Sequence, residues 1–211
     1  MHIRGIILEG YSNSGKTSLL RTIKLMMSQD ESAERSLIVL GEHYSQVLNN
    51  VNGDFLSLGR SDHIKLLQER AEMLKRLNEW AIGLGPFSRK SRGLFFVLER
   101  FHLNHRVAFS DTLSNEIVEL EQNLVVLNAK CALLTISDDI VEERIMSRDA
   151  GLWKGKPKEE IINACNELVE TQKLLREQVK LSKVPSIEIN TDSKEWDKYA
   201  KQIIEYTDLE G

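Results

Sequence analysis

Cysteine is scarce in this chain of 211 residues, and the two that occur, Cys131 and Cys165, lie far apart. So sparse a set predicts reduced thiols and argues against a disulfide framework or a zinc cluster. Long apolar runs are also missing, since no stretch approaches the roughly 20 residues that a membrane-spanning helix needs. The N-terminal segment MHIRGIILEG is too short and too soon interrupted to act as a secretory signal. We therefore expect a cytoplasmic protein without a membrane partner.

An excess of basic residues is absent as well. The chain has 28 lysines and arginines against 32 aspartates and glutamates, which gives a formal net charge of −4. Domains dedicated to nucleic acids are usually basic, so we expect no nucleic-acid partner. Internal repeats, low-complexity tracts and linkers are missing too, and 41% of the residues are apolar. A chain of this length and composition can build one sizeable core, which predicts a single domain over residues 1–211.

Continuous apolar runs alternate with segments of helical spacing along the whole chain. Five runs are typical of buried strands, and they cover residues 3–8, 36–40, 94–98, 131–136 and 185–190. Helices are predicted over residues 14–28, 61–82, 113–129, 138–148, 157–182 and 194–206, and a loop over 83–93. The alternation predicts a three-layer α/β/α fold with a five-stranded parallel sheet, in which ligands bind beyond the carboxyl ends of the strands.

The predicted helix 61–82 carries two apolar stripes at helical spacing. The first consists of Ile64, Leu67, Ala71 and Leu74, and the second of Leu66, Met73, Leu77 and Trp80. Two stripes predict that the helix is covered on two sides, by the sheet and by another helix.

The segment after the first predicted strand carries the most specific motif. Residues 10–17, GYSNSGKT, fit the pattern G-x-x-x-x-G-K-[ST] without a gap, between a strand and a helix. Glycines let the backbone approach phosphate oxygens, and the amides at a helix N-terminus attract negative charge. Lys16 can reach the terminal phosphates, and the Thr17 hydroxyl can ligate Mg²⁺. The predicted nucleotide-binding set is Gly10, Asn13, Ser14, Gly15, Lys16, Thr17 and Ser18.

Charged residues also follow the second and third predicted strands. Glu99 and Arg100 end the third, where the carboxylate can hold hydrated Mg²⁺ opposite Thr17 and the arginine can meet a phosphate or carboxylate. Glu42 follows the second strand and can orient an acceptor hydroxyl, or bind a base or an arginine-like group, in the same crevice. The plainer interpretations are a salt-bridged strand end and a solvated loop glutamate.

A charged segment over residues 138–157 is predicted to form a lid. Arg144 and Arg148 are four residues apart, so they share one face of a helix. From there they can stabilise the charge that develops on a transferred phosphoryl group. The glycines and lysines that follow suit a mobile cover that excludes water. An exposed helix with ion pairs is the alternative interpretation.

Aromatic and histidine side chains near these strand ends are less specific. His102 and His105 are three residues apart without an evident third metal ligand, so we expect them to line the acceptor site or bond nearby backbone. Four aromatic residues could sandwich a base or belong to the core, namely Tyr44, Phe55, Phe101 and Phe109.

Taken together, these segments resemble the P-loop nucleotide kinases, and most of all the thymidylate kinase and deoxynucleoside kinase branch. The resemblance rests, in chain order, on ILEGYSNSGKTS, LLQERAEMLKRL, ERFHLNHRVAF, DDIVEERIMSRD and IEINTD. It implies a P-loop kinase fold in which Arg70 reaches the substrate, and in which the turn after the last strand lies near the adenine. It also implies substrate contacts at Glu99, Arg100 and Phe101, and lid contacts at Arg144 and Arg148.

The chain departs from that branch on the acceptor side. Residues 41–43, Gly-Glu-His, lack the proline that thymidylate kinases usually have after the second strand, and Glu99 stands where aspartate is more frequent. A monophosphate acceptor would need arginines such as Arg70 and Arg100, because a buried dianion needs charged donors. A neutral hydroxyl acceptor would instead use Glu42 as a base.

The pattern as a whole predicts a phosphotransferase that moves the γ-phosphoryl group of ATP, with Mg²⁺, to a nucleoside monophosphate. The predicted catalytic set is Lys16, Glu42, Arg100, Arg144 and Arg148. One alternative is a kinase for a nucleoside or another small hydroxyl compound. Another is a nucleotide-binding module that signals to a protein partner, and a homodimer is a possible assembly.

Overall fold

The computed structural model describes residues 3–29, 34–42, 48–51, 54–83, 91–148 and 150–208. Five strands form one parallel sheet, namely β1 (Arg4–Glu9), β2 (Glu34–Leu40), β5 (Ser91–Glu99), β6 (Ala129–Thr135) and β7 (Ser186–Asn190). Their order across the sheet is β2-β5-β1-β6-β7, which confirms the predicted five-stranded parallel sheet. An antiparallel hairpin of β3 (Leu48–Val51) and β4 (Asp54–Ser57) lies apart from it and was not predicted.

Eight α-helices occur within the described residues. They are α1 (Lys16–Gln29), α2 (Arg60–Gly83), α3 (His102–Phe109), α4 (Asn115–Val126), α5 (Val141–Arg148), α6 (Ala150–Trp153), α7 (Lys158–Leu181) and α8 (Trp196–Asp208). Most lie within a few residues of the predicted bounds, but α3 and α6 were not predicted. Among the described helices, none is both long and apolar enough to cross a bilayer.

The predicted helix 113–129 was too long at its C-terminal end. Helix α4 stops at Val126, and Ala129 already belongs to β6. Asn128, between them, has a φ of 52°, a left-handed conformation that asparagine tolerates better than most residues. Its side-chain amide donates a hydrogen bond to the Ile3 carbonyl at 3.0 Å, which holds the turn against the start of β1.

The sheet is covered on both faces, as alternation along its strands requires. On β1, Ile7 packs into a core shared with α2, α3, α4 and α7, whereas Ile6 and Leu8 pack against α1 and α8. All three side chains are fully buried. This arrangement gives the predicted three layers and aligns the carboxyl ends of β1, β5 and β2 at one edge.

A buried ion pair joins α3 to α4. The Arg106 guanidinium donates to both carboxylate oxygens of Glu121, at 2.8 and 3.0 Å, and both side chains are buried. Glu121 also accepts the backbone N–H of Lys183 at 3.0 Å. Because both charges are paired and hydrogen-bonded, the burial of this arginine is tolerated and fixes α3 over the sheet edge.

Helix α2 packs against β5 of the sheet and against the helices α3 and α4. Its first stripe is buried, but Met73 and Trp80 of the second stripe are exposed, Trp80 to 63% of its surface. The predicted cover by the sheet and by another helix is therefore found, but within the described residues it does not extend over Met73 and Trp80.

The first part of the predicted lid is packed into the fold. A 3₁₀ turn at Asp138–Ile140 leads into α5, whose Val141 and Ile145 are buried in a small apolar cluster against α7. Tyr11 of the segment between β1 and α1 packs on the same cluster. Helix α5 thus packs beside the loop between β1 and α1 through its apolar side.

Candidate phosphate-binding site

The turn between β1 and α1 needs glycine at two positions. Gly10 has a φ of 136° and Gly15 a φ of 89°, both in the region that side chains rarely adopt. A β-carbon on Gly10 would lie 2.5 Å from the Leu134 carbonyl oxygen, and one on Gly15 would collide with the indole of Trp196. The glycines therefore allow the backbone to curl tightly between β6 and α8, as a phosphate-binding loop requires.

Lys16 begins α1 and is held inside this loop. Its ammonium group donates to the carbonyl oxygens of Gly10 and Tyr11, at 2.8 and 2.9 Å, and only 6% of the residue is exposed. Burial, together with the nearby Arg100 charge, lowers the pKa of Lys16 to about 7, although the carboxylates around it oppose the shift. An anionic ligand would stabilise the charged lysine, because it would replace solvation that the protein does not supply.

Arg100 links three segments of the site. Its Nε lies 2.9 Å from the Glu42 carboxylate, and its Nη2 donates to the Ser12 hydroxyl at 2.8 Å. The residue has a left-handed φ of 50°, and its backbone N–H donates to the Leu8 carbonyl at 3.1 Å. Glu99 accepts the Glu42 N–H at 3.3 Å, and burial raises the pKa of the Glu99 carboxyl. An ion pair and a hydrogen bond of Arg100 therefore connect the ends of β2 and β5 to the loop after β1.

Arg144 of α5 reaches the opposite side of the loop. Its guanidinium donates to the backbone carbonyls of Thr191 and Asp192, in the turn after β7. The Thr191 hydroxyl in turn donates to the Ser14 carbonyl at 3.0 Å. These contacts connect α5, the loop after β1 and the turn after the last strand.

One cavity of about 350 Å³ joins these groups. Its lining residues come from the loop and the start of α1, the ends of β2 and β5, α5, and the turn that leads into α8; they are Asn13, Gly15, Lys16, Thr17, Ser18, Glu42, Arg100, Arg144, Ser147, Lys194 and Trp196. Four of the five predicted catalytic side chains therefore share the cavity. The fifth, Arg148, ends α5, but its side chain lies outside the described part of the structure.

Other predicted site residues do not line the cavity. Gly10 and the buried Ser14 shape the loop from behind, and Glu99 lies beside it in contact with Glu42. Phe101 is completely buried in the apolar core, so the expectation that it contacts the acceptor is not met. Arg70 lies on α2, 3.9 Å from Glu69, and is not among the described residues that line the cavity.

Several site residues were missed from the sequence. Glu9, the last residue of β1, is buried and accepts the backbone N–H groups of Phe101 and Leu103 at 2.9 and 3.0 Å. Burial raises the pKa of Glu9 to about 7, although those hydrogen bonds and Lys16 oppose the rise. A carboxylate at a strand end was the signal that selected Glu99, and it applies equally to Glu9. No comparable signal exists for Ser12, Ser147 or Trp196.

Comparison with known proteins identifies the fold alone. No family model and no curated protein matches the sequence. The YorR protein from Bacillus subtilis, crystallised in complex with phosphorylated GDP, matches with a TM-score of 0.58 and 15% identity, over 97% of this chain and 96% of that chain. Shikimate kinase from Bacteroides thetaiotaomicron matches with a TM-score of 0.49 and 12% identity, over 98% and 99%. Neither match singles out the thymidylate kinase branch.

Proposed function

We propose that this protein is an ATP-dependent kinase that phosphorylates a small molecule, with a nucleoside monophosphate as the preferred acceptor. The observation that carries the proposal is one cavity in which Lys16, Arg100 and Arg144 meet around a glycine-rich loop. Phosphoryl transfer is catalysed mainly by positioning and by stabilising charge on the transferred oxygens. Three converging cations beside a helix N-terminus suit that task.

The donor phosphates would occupy the loop. The backbone amides at the start of α1 would bind their oxygens, and the Lys16 ammonium would exchange its bonds to Gly10 and Tyr11 for bonds to phosphate. Arg144 would act from the other wall of the cavity. In the transfer step an acceptor oxygen bonds to the γ-phosphorus while the bond to the β–γ bridging oxygen breaks, which leaves ADP.

Magnesium would be held by oxygen donors of this chain. The Thr17 hydroxyl lines the cavity, and the Glu99 carboxylate lies next to it against the Glu42 backbone. Hydroxyl and carboxylate oxygens are the ligands that Mg²⁺ prefers. When bound, the ion neutralises charge on the β- and γ-phosphates.

Arg100 supports the monophosphate acceptor. Its guanidinium already pairs with an anion, the Glu42 carboxylate, and both residues line the cavity. The phosphate of an acceptor could take that position and release Glu42, because guanidinium binds both groups in the same bidentate geometry. Arg70 does not line the cavity, so in the proposal Arg100 is the residue that binds the acceptor phosphate.

A hydroxyl acceptor is the second candidate, and Glu42 favours it. The carboxylate lies in the same cavity as Lys16, at the end of a strand, where it could accept the proton that leaves the hydroxyl. A nucleotide-binding regulatory module is a third possibility, which would bind ATP without consuming it in the presence of acceptors.

The test is a screen of ATP consumption with nucleoside monophosphates, nucleosides and small alcohols, cross-checked by thermal shift. We expect consumption with at least one monophosphate and none with Lys16→Ala. Binding of ATP without turnover on any acceptor would favour the regulatory module.

Two variants separate the acceptor classes. Glu42→Gln should reduce kcat about 10²–10⁴-fold for a hydroxyl acceptor, because it removes the base, and much less for a monophosphate. Arg100→Ala should abolish activity on the monophosphate. Normal monophosphate kinase activity in Arg100→Ala would contradict the proposed acceptor site.

A further inference from the structure

Two buried histidine side chains meet between α2 and α3. Nδ1 of His63 lies 2.8 Å from Nδ1 of His105, whereas the ring centroids are 5.1 Å apart, so the rings approach through these nitrogen atoms. Both side chains are fully buried, and the Phe109 ring packs against each, with centroid distances of 5.6 and 5.0 Å. Neither histidine is among the described residues that line the cavity, so the proposed chemistry does not use them.

Asp111, in the segment after α3, determines where the hydrogen atoms of this pair lie. Its carboxylate accepts from Nε of Arg60 and from the Ser114 hydroxyl, both at 2.9 Å, and Nε2 of His105 lies 3.1 Å away. Burial opposes ionisation of Asp111, but hydrogen bonds from Ser114, His105 and Arg60 outweigh it and lower the pKa of the carboxyl. Because an ionised carboxylate only accepts hydrogen bonds, Nε2 of His105 must donate to it.

The hydrogen bond between the two imidazoles then has one direction at neutral pH. A neutral imidazole carries one hydrogen, and in His105 this hydrogen is on Nε2, so Nδ1 of His105 has a lone pair. His63 therefore donates from its own Nδ1. A chain of hydrogen bonds runs from His63 through His105 to Asp111, and Arg60 reaches the same carboxylate from the start of α2. These bonds join the first turn of α2 to α3.

This arrangement disfavours added protons. When both imidazoles are protonated, each Nδ1 carries a hydrogen, so two donors would face each other at 2.8 Å with two buried positive charges. Burial, with the charges of His63 and Arg60, lowers the pKa of His105 to about 4, although Asp111 opposes the shift. Glu116 of α4 acts on Arg60, with which it pairs at 3.1 Å. An imidazole in solvent has a pKa of about 6.5, so it binds protons more readily than the buried pair.

We propose that His63 and His105 form a pH-sensitive switch, which holds the start of α2 against α3 at neutral pH and releases it in acid. In the open state the imidazoles are solvated and take up protons from about pH 6.5 downwards, whereas the closed pair does so only near pH 4. Opening therefore becomes more favourable as pH falls through this window, by up to about tenfold per pH unit for each imidazole.

The switch acts on an element that lies close to the cavity in the chain. Helix α2 follows the hairpin of β3 and β4, and the hairpin follows Glu42, which lines the cavity. Release of α2 would loosen one end of the segment that begins at Glu42. Any effect on acceptor binding rests on the proposed function, whereas the opening itself does not.

Nitrogen NMR of the full-length, ¹⁵N-labelled protein tests the closed pair at pH 7. The ¹⁵N shifts show which nitrogen of each imidazole carries hydrogen, and a scalar coupling across the hydrogen bond connects the two Nδ1 atoms. We expect hydrogen on Nδ1 of His63 and on Nε2 of His105, with a coupling between the two Nδ1 atoms. Absence of that coupling at pH 7 would overturn the inference.

Amide hydrogen exchange measures the opening, as protection factors that are corrected for the intrinsic exchange rate at each pH. We expect the protection of residues 64–67 of α2 to fall about tenfold or more between pH 7 and pH 5. At pH 5 these amides should exchange faster than those of β1 and depend weakly on urea, since a local opening exposes little surface. The same urea dependence in both elements would show global unfolding and contradict a local switch.

A double substitution provides the matched comparison. Glutamine donates and accepts hydrogen bonds as imidazole does but does not titrate, so His63→Gln with His105→Gln should leave the protection of residues 64–67 nearly independent of pH. His102→Gln, which replaces another buried histidine of α3, should keep the tenfold change of the parent. A tenfold change that persists in the double variant would assign the acid effect to another group and overturn the switch. The NMR coupling requires no substitution, so it remains decisive even if the double variant does not fold.

Discussion

Lys16 combines two properties that conflict in the absence of an anion. It is almost completely buried, yet its ammonium group is bonded to two backbone carbonyls, and its pKa is lowered to about 7. A group in this position contributes little to folding and much to binding, because the charge is costly until phosphate arrives.

Lys16→Ala should therefore abolish transfer while the fold persists. We expect kcat to fall by about 10²–10³-fold or more, the range seen when one stabilising donor is removed. Lys24→Ala, on the exposed side of the same helix, should leave kcat unchanged. Equal turnover in Lys16→Ala and the parent would exclude the phosphate-binding assignment, and thermal melting of both variants checks the fold.

Glu9 is the buried counterpart on β1. Its Oε1 accepts the two N–H groups that open α3, while within the described structure its Oε2 has no hydrogen-bond partner. One of these donors, the N–H of Phe101, belongs to the residue directly after Arg100. The left-handed backbone of Arg100 costs conformational energy. We therefore interpret Glu9 as the residue that holds Arg100 in its strained conformation.

The raised pKa of Glu9 predicts a dependence of stability on pH. Between pH 4.5 and about 7 the folded protein keeps a proton that the unfolded chain has lost, so the free energy of unfolding falls as pH rises through that window. The loss amounts to about 3 kcal/mol, since one pKa unit corresponds to about 1.4 kcal/mol.

Glu9→Gln should remove this dependence, because glutamine does not ionise but can still accept the N–H groups of α3. Urea denaturation at pH 4.5 and pH 8 measures the effect. We expect similar stability of parent and variant at pH 4.5 and a more stable variant at pH 8. Parallel pH profiles for the two proteins would show that Glu9 does not titrate in this range.

At the scale of elements, α5 connects the site to the rest of the fold. Its apolar side is buried against α7, and its Arg144 binds the carbonyls of the turn after β7. The helix is therefore anchored on one side and presents a cation to the cavity on the other. This geometry suits an arginine that acts on charge developing in the transition state.

Arg144→Ala should lower kcat by about 10²-fold and change the Kd for ATP by less than about threefold, because the arginine acts mainly on developing charge. We expect the same effect on kcat from Arg148→Ala, which removes the second arginine predicted to act on this charge. Arg176→Ala, on the exposed side of α7 where it pairs with Glu188 at 2.8 Å, is the matched control. A change confined to KM would instead assign Arg144 to ground-state binding of substrate.

At the scale of the whole molecule, both faces of the sheet are packed, and the central strands β1, β5 and β6 contribute side chains to both cores. Strand β1 sends Ile7 to one face and Ile6 and Leu8 to the other, and it ends at the phosphate-binding loop. Ligand binding at the loop should therefore stabilise the fold as one unit.

We expect a single thermal unfolding transition that shifts upward with ATP. At an ATP concentration of 100 Kd, binding adds about 2.7 kcal/mol to the free energy of unfolding. For a chain of this size that corresponds to a rise in Tm of about 5–10 °C, measured by calorimetry. Lys16→Ala should show little of this rise. Two separate transitions would contradict a single domain.

The strands and the tight glycine-containing loop after β1 could be predicted from the sequence because their determinants are local. Gly10, Gly15 and Lys16 lie within seven consecutive positions, and their conformations depend on the turn itself. The parallel strands appear as continuous apolar runs because both faces of the sheet are buried. Helix α3 was missed because Glu9, distant in the chain, provides its N-terminal hydrogen bonds.

Which distant side chains meet was decided only by the tertiary structure. Helical periodicity identifies the face on which a residue lies, but it does not identify what that face meets. Arg100 pairs with Glu42, and Trp196 abuts Gly15, because β5, β2 and α8 converge on the loop after β1. Phe101 turns into the core for the same reason, since α3 packs down onto the sheet. The local motif therefore predicts where phosphate binds and determined the conformation of the loop, and the packing of elements far apart in the chain determined which charges and which aromatic ring surround that loop.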